Sequence, residues 1–161
     1  MSTKEYAGFW LRFVAYIIDY IVIQVVQSFI IIPILGALGF GMFTASQDIN
    51  WDQMSDAEIF GLVAAVSAAL GAAILLSMAI LILYYAIMES SKYQATLGKL
   101  ALGLKVTDMN GNKLDFWKAF LRQIGKIVSG MILMIGYIMA GFTDKKQALH
   151  DMIAGALVVK K

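Results

Sequence analysis

The sequence predicts an α-helical membrane protein with two long transmembrane helices, a third short or re-entrant membrane segment, and a small cytoplasmic β-hairpin or sheet. Three observations predict this class. Residues 20 to 47 carry no charge, and neither do residues 59 to 88. Each run exceeds the ~20 apolar residues that cross a ~30 Å hydrocarbon core. Hydrophobic residues make up 60% of the chain and charged residues 15%, against about 45–50% and roughly 25% in soluble domains. Finally, 161 residues leave too little other material to bury two such helices in a soluble core.

Composition also excludes several chemistries. The chain has no cysteine, so disulfides, thiolate catalysis and cysteine metal sites are ruled out. The net charge of +2 is no argument for nucleic acid. Lys4 precedes an apolar stretch, but Arg12 and Asp19 interrupt it and no small-residue cleavage site comes after them. The first span is therefore expected to stay in the mature protein rather than act as a signal peptide.

The first helix is expected over about residues 9 to 38. Pro33, the only proline, kinks it or marks its weakening end, and Gly36, Gly39 and Gly41 loosen the chain beyond it. Residues 44 to 58 read as a polar loop bearing Asp48, Asp52, Asp56 and Glu58. The second helix is expected over about 60 to 88. Along it Gly61, Ala65, Ala69 and Ala73 recur every four residues, beside a parallel row of Ala64, Ala68 and Ala72. Small rows let membrane helices approach closely, so a helix contact is expected there. Tyr84 and Tyr85 suit the headgroup level.

Residues 89 to 118 are polar and basic. Asn110-Gly111 between Leu104–Thr107 and Lys113–Phe116 signals a hairpin turn, because both turn residues tolerate positive φ. The third membrane segment is expected over about 119 to 142. Its Lys118, Arg122 and Lys126 recur every four residues and make one helix face basic. Val128 to Phe142 is apolar but short, and three glycines interrupt it. The tail, residues 143 to 161, ends in a β-branched run that reads as a strand.

The basic residues set the sidedness. Lys4 and Arg12 open the first span, seven Lys and Arg lie between residues 92 and 126, and four lysines lie in the tail. None lies in the loop at 44 to 58. The positive-inside rule places both termini in the cytoplasm and that loop outside. A third full crossing would put the four tail lysines outside, so the rule favours re-entry.

Three segments carry a family resemblance. They are Gly8-Phe-Trp-Leu-Arg-Phe-Val-Ala-Tyr-Ile-Ile-Asp19, Gln94-Ala-Thr-Leu-Gly-Lys-Leu-Ala-Leu-Gly-Leu-Lys-Val-Thr-Asp108 and Gln147-Ala-Leu-His-Asp-Met-Ile-Ala-Gly-Ala-Leu-Val-Val159. In this order and spacing the chain resembles the RDD family of bacterial membrane proteins over nearly its whole length. The arginine and two aspartates of that family fall on Arg12, Asp19 and Asp151. Leu97 stands where the family often has proline, and Ala156 where threonine is common. The resemblance implies a multi-pass protein of the bacterial cytoplasmic membrane and suggests ion or solute transport.

Arg12 and Asp19, seven apart, fall within about 20° on a helix. Tyr16, Tyr20 and Gln27 lie near the same stripe. A charge at membrane depth is costly unless it faces protein or a water cavity. The stripe therefore belongs either to a transport path or to a structural lock. With Asp151 from the tail, one cation between two carboxylates leaves a surplus negative charge, which suits a proton or monovalent cation. Glu89, at the exit of the second helix, pairs with Arg12 or Lys92 or faces water. Lys99 comes directly after Gly98, but Tyr93 and Leu100 break the phosphate-loop pattern, so Lys99 is assigned to headgroups or a carboxylate. Arg122 belongs to the basic face. His150 is the only histidine; it reads as a proton relay or as a surface or interface residue. One histidine cannot supply a metal-dependent hydrolase.

The sequence therefore points to transport of an ion or small solute. A non-transporting scaffold or accessory subunit bound to a membrane partner is the alternative. Neither an enzyme activity, a metal, a cofactor nor nucleic acid is expected. Two spans and a re-entrant piece enclose little space, so a homo-oligomer in the bilayer is expected.

Overall fold

A computed structural model describes residues 5–48, 53–132 and 135–161. The elements run α1 (Phe9–Asp48), α2 (Asp56–Ser90), α3 (Leu97–Ala101), β1 (Leu104–Asp108), α4 (Phe116–Met131), α5 (Ile135–Ile138, extended by a 3-10 turn at Met139–Gly141), α6 (Leu149–Ala154) and β2 (Ala156–Lys160). The chain forms two compact units: Met1–Val22 with Ile80–Lys161, and Ile23–Ala79.

Both long helices exceed expectation. α1 continues through Pro33 for 40 residues, about 60 Å at 1.5 Å per residue. In an apolar setting the backbone has no competing water to bond, so proline and glycine do not end a helix there. The loop assigned to 44–58 is correspondingly shorter: it begins after Asp48, and α2 starts at Asp56. Positions 49–52 of that loop lie outside the described residues. Ser55 caps the start of α2 reciprocally, its amide and hydroxyl both donating to Glu58 Oε2 at 2.8 Å.

Within the unit Ile23–Ala79, the amide of Gln27 donates to the Ser77 carbonyl at 2.9 Å. Ala69 and Ala73 lie half-buried on the same stripe of α2 as Ser77. Gly61, Ala65 and the row Ala64, Ala68 and Ala72 are exposed. Contact thus uses only the latter part of the first small-residue row.

The other unit is built around a two-stranded antiparallel sheet, with Val106 opposite Val158 and Asp108 opposite Ala156. The expected hairpin is reduced to one bridge, Thr107 to Lys113. The turn itself forms, Gly111 taking a φ of 93° while Asp108 Oδ1 accepts from the amides of Asn110 and Asn112. Its second arm ends early because Asp115 caps α4, accepting from the Trp117 amide at 2.9 Å. The tail strand fills the vacant edge of β1. Tyr6 bridges to Val159, so the N-terminal segment joins the same sheet. Gly155, at φ 60°, turns α6 directly into β2; a side chain there would strain the left-handed backbone. The buried core is small-grained, with Leu104, Val106, Val158 and Leu114 packed against Ala7, Ala15, Ala86, Ala119 and Ala154.

The third apolar segment is bent: α4 and the stretch Ile135–Gly141 lie at 118° to each other. α4 is amphipathic in an inverted sense. Arg122, Gln123 and Ser129 are buried, while Trp117, Leu121, Ile124, Val128 and Met131 are exposed.

Candidate functional site

The first turns of α1, the end of α2, and α3, α4 and α6 converge on two buried carboxylates. Glu89 sits in the last turn of α2 and is fully buried. Its Oε1 pairs with Lys99 Nζ and with Arg122 Nη1 at 2.6 Å. Lys126 Nζ stands 3.9 Å away, and Glu89 Oε2 accepts from the Gln123 side chain at 3.1 Å. Arg122 and Lys126, four apart on α4, reach one acceptor because i and i+4 share a helix face.

Asp151 is the second hub. Its Oδ1 accepts from Arg122 Nε at 2.7 Å. Its Oδ2 accepts from Arg12 Nη1 and from the Ala148 amide at 3.1 Å. The last bond caps α6, so this residue both starts a helix and anchors an arginine. Arg12 also donates to the carbonyls of Ala7 at 2.9 Å and Lys146 at 2.5 Å. Arg122 thus bridges Glu89 to Asp151, and Arg12 extends the chain of pairs to the first helix.

Asp19 belongs to a separate set. It is 1% exposed and accepts from Tyr84 Oη at 3.0 Å, Thr96 Oγ1 at 2.5 Å and the Gly98 amide at 2.7 Å. These donors are neutral and come from α2 and the start of α3. Gly98 is required because a β-carbon there would lie 2.1 Å from the Ala15 carbonyl oxygen. Asp19 therefore docks α3 onto α1.

Burial lowers the Lys99 pKa, with Glu89 opposing it. Burial raises the Asp151 carboxyl, but Arg122 and Arg12 outweigh it and hold that group well below the usual carboxylate range. Burial pushes His150 down to about 2; Arg122, Lys126 and Arg12 act in the same direction, and Asp151 opposes them. His150 is buried rather than at the surface, with Nε2 3.5 Å from Asp151 Oδ1 and its ring beside Tyr137. It is neutral near pH 7, which does not suit a relay poised at that pH.

The structure thus brings Arg12 and Asp151 together and gives Asp19 other partners. The cation is not held between the two signature carboxylates. Glu89, Lys99 and Arg122 join the network, with Glu89 taking Lys99 and Arg122 as partners rather than Arg12 or Lys92. Tyr16 is exposed and stacks on Tyr20, and makes no side-chain hydrogen bond among the described residues. Thr96 and Gln123 escaped the sequence reading, and Tyr84, assigned to the headgroup level, instead donates to Asp19. Thr96 stands just before α3, and a threonine before a helix is a capping signal. Among the described residues no three His, Asp or Glu side chains are grouped to hold a metal.

The profile of the RDD family matches residues 6–155. Uncharacterized protein YxaI of Bacillus subtilis (strain 168) is 39% identical over 155 residues, 96% of this chain and 97% of its own length. Uncharacterized membrane protein YteJ of the same organism is 28% identical over 99% of this chain and 84% of its own length. Uncharacterized protein YckC, also from that organism, is 26% identical over 98% of this chain and 87% of its own. No solved structure matches. With its two long apolar helices, its buried Arg12–Asp151 pair and a family match over nearly its full length, the chain belongs to the RDD family of membrane proteins.

Proposed function

We propose that the protein is a non-enzymatic carrier or channel for an ion or small solute, working as a homo-oligomer in the bacterial cytoplasmic membrane with both termini in the cytoplasm. The observation that carries this reading is the buried ion-pair network at one end of two apolar helices. Such a cluster costs several kcal/mol per desolvated charge and marks function by default in a membrane protein. Arg12, Lys99, Arg122 and Lys126 outnumber Glu89 and Asp151, the two carboxylates of the network, so the sign of the surplus favours an anion over a proton or monovalent cation. The strand pairing supports the topology. β1 and β2 are hydrogen-bonded residue for residue, and strands cannot pair across a bilayer, which supports a chain that returns to its starting side through a re-entrant third segment. The N-terminal bridge to Val159 puts the start of α1 on that side, where the Lys and Arg cluster.

Flux of chloride, phosphate, sodium, potassium and protons into proteoliposomes tests the reading. A fall in anion flux per folded molecule is expected in Arg122→Gln protein, together with a lower melting temperature because both carboxylates lose a partner; folded wild-type protein without flux of any of these ions overturns the reading. The exposed row Ala64, Ala68 and Ala72 on α2 favours a second reading, a scaffold that packs this face against a larger membrane protein. That reading requires no flux and a partner that co-purifies.

A further inference from the structure

The four cations of the network are not equally satisfied. Arg12 pairs with Asp151 and two carbonyls and Lys99 with Glu89; Arg122 hydrogen-bonds Asp151 through Nε, while its Nη1 meets Glu89 as a charge contact without a hydrogen bond among the described residues. Lys126 differs. Its Nζ is 3.9 Å from Glu89 Oε1, beyond hydrogen-bond distance, and stands 4.1 Å from the centroid of the Tyr85 ring. An ammonium has three donors to satisfy, and among the described residues Lys126 Nζ makes no hydrogen bond. Its side chain is also the most accessible of the four, 20% exposed against 13% for Arg12 and less for the others. Beside it, Tyr85 Oη is buried without a partner among the described residues.

Glu89 lies on the inner side of this cation, and the outward side of its helix is apolar. α4 turns its polar face inward and presents Leu121, Ile124, Val128 and Met131 outward. α6 does the same with Met152 and Ile153. Exposed apolar residues of this kind are unsuited to water and suited to acyl chains. One charge left over at the edge of such a face calls for a counter-ion that is itself amphipathic. We propose that Lys126 binds the phosphate of an anionic phospholipid, with Tyr85 at its flank and the acyl chains lying along the outward face of α4. The inference needs only the bilayer setting; it stands or falls independently of flux.

The test uses the full chain purified in a neutral detergent, with phosphatidylglycerol, phosphatidylcholine and inorganic phosphate as separate probes. Retained lipid is counted by native mass spectrometry, and the melting temperature is read alongside. Phosphatidylglycerol should be retained and should raise the melting temperature, whereas phosphatidylcholine and inorganic phosphate should do neither. Lys126→Gln should weaken retention about fivefold or more, the usual weight of one basic residue toward anionic lipid. Lys145→Gln, an exposed tail lysine, should not. Equal retention of both lipids, unchanged retention in Lys126→Gln, or an equal effect of inorganic phosphate would each overturn the proposal, the last in favour of a free-anion site. If Lys126→Gln does not fold, photo-cross-linkable phosphatidylglycerol in vesicles of the unmodified protein decides. Adducts on α4 near Lys126 support the site, and adducts only elsewhere refute it.

Discussion

Arg12 and Asp151 lie 139 positions apart and meet as an ion pair that ties the first helix to the cap of α6. Asp151 is fully buried and the Arg12 side chain nearly so. Removing one partner strands the other charge in a poorly solvated place. Arg12→Ala should therefore cost about 3 kcal/mol or more. Asp151→Asn should cost at least as much, because it strands Arg122 as well. Denaturant titration in detergent micelles measures both. Losses near zero for Arg12→Ala would mean that water reaches the pair.

Asp19 should behave as a lock rather than as an ion site. Its two oxygens take three neutral donors, and an asparagine can accept at only one of its two positions. Asp19→Asn should cost about 1–3 kcal/mol, the range for unsatisfied buried donors, while flux per folded molecule stays normal. Gly98→Ala should fail at the same joint, since its methyl group meets the Ala15 carbonyl and overpacking costs about 1–3 kcal/mol. Loss of flux in folded, stable Asp19→Asn protein would return Asp19 to the transport path.

Acid should destabilise the protein through His150 before it reaches the carboxylates. The folded pKa is depressed to about 2 from 6.5, so below about pH 6.5 the unfolded chain binds a proton that the folded chain does not. Stability is then full above that pH and falls by about 1.4 kcal/mol per unit as the pH drops. Asp151 adds its own loss only below about pH 4, where its unfolded carboxylate protonates. Stability of wild type and His150→Gln between pH 7 and 5 is the measurement. A variant profile flatter than wild type is expected; parallel profiles would place the titration elsewhere.

The long elements were legible in the sequence because uncharged runs report directly on the lipid solvent. The tail strand was legible from its β-branched run. The C-terminal end of α1 was not, since proline and glycine read as breakers only where water competes for the backbone, whereas its start at Phe9 was. The site was half legible. Family matching picked out Arg12, Asp19 and Asp151, and helix spacing put the first two on one stripe. Spacing along one helix cannot show which other segment supplies a partner. That is why Arg12 found Asp151 while Asp19 found Thr96, Tyr84 and Gly98. The spacing showed one basic face on α4, but not that Arg122 turns inward to two buried carboxylates.

Topology is open to direct labelling, since the chain has no cysteine. Single cysteines at Gln53, Lys145 and Lys161 should divide cleanly. A membrane-impermeant maleimide added to intact cells should label Gln53→Cys alone. Lys145→Cys and Lys161→Cys should need permeabilisation. External labelling at Lys161 would require a third full crossing and contradict the β1–β2 pairing.

The two faces of α2 separate packing within the chain from packing onto a partner. Ala69 is half-buried on the stripe that holds Ser77, whereas Ala65 and Ala68 are exposed. A leucine at Ala69 must push neighbouring side chains aside, so Ala69→Leu should cost about 1–3 kcal/mol in the purified protein. Ala68 is exposed, so Ala68→Leu should leave the melting temperature unchanged. In an oligomer or a complex the outcome differs, because small residues permit close helix approach and bulk separates the backbones. Ala68→Leu should then shift the elution volume toward a smaller assembly while the subunit stays folded. Size-exclusion elution with light scattering, paired with thermal melts, reads both effects. If Ala68→Leu changes neither, its row faces lipid, and the scaffold reading loses the observation that favours it.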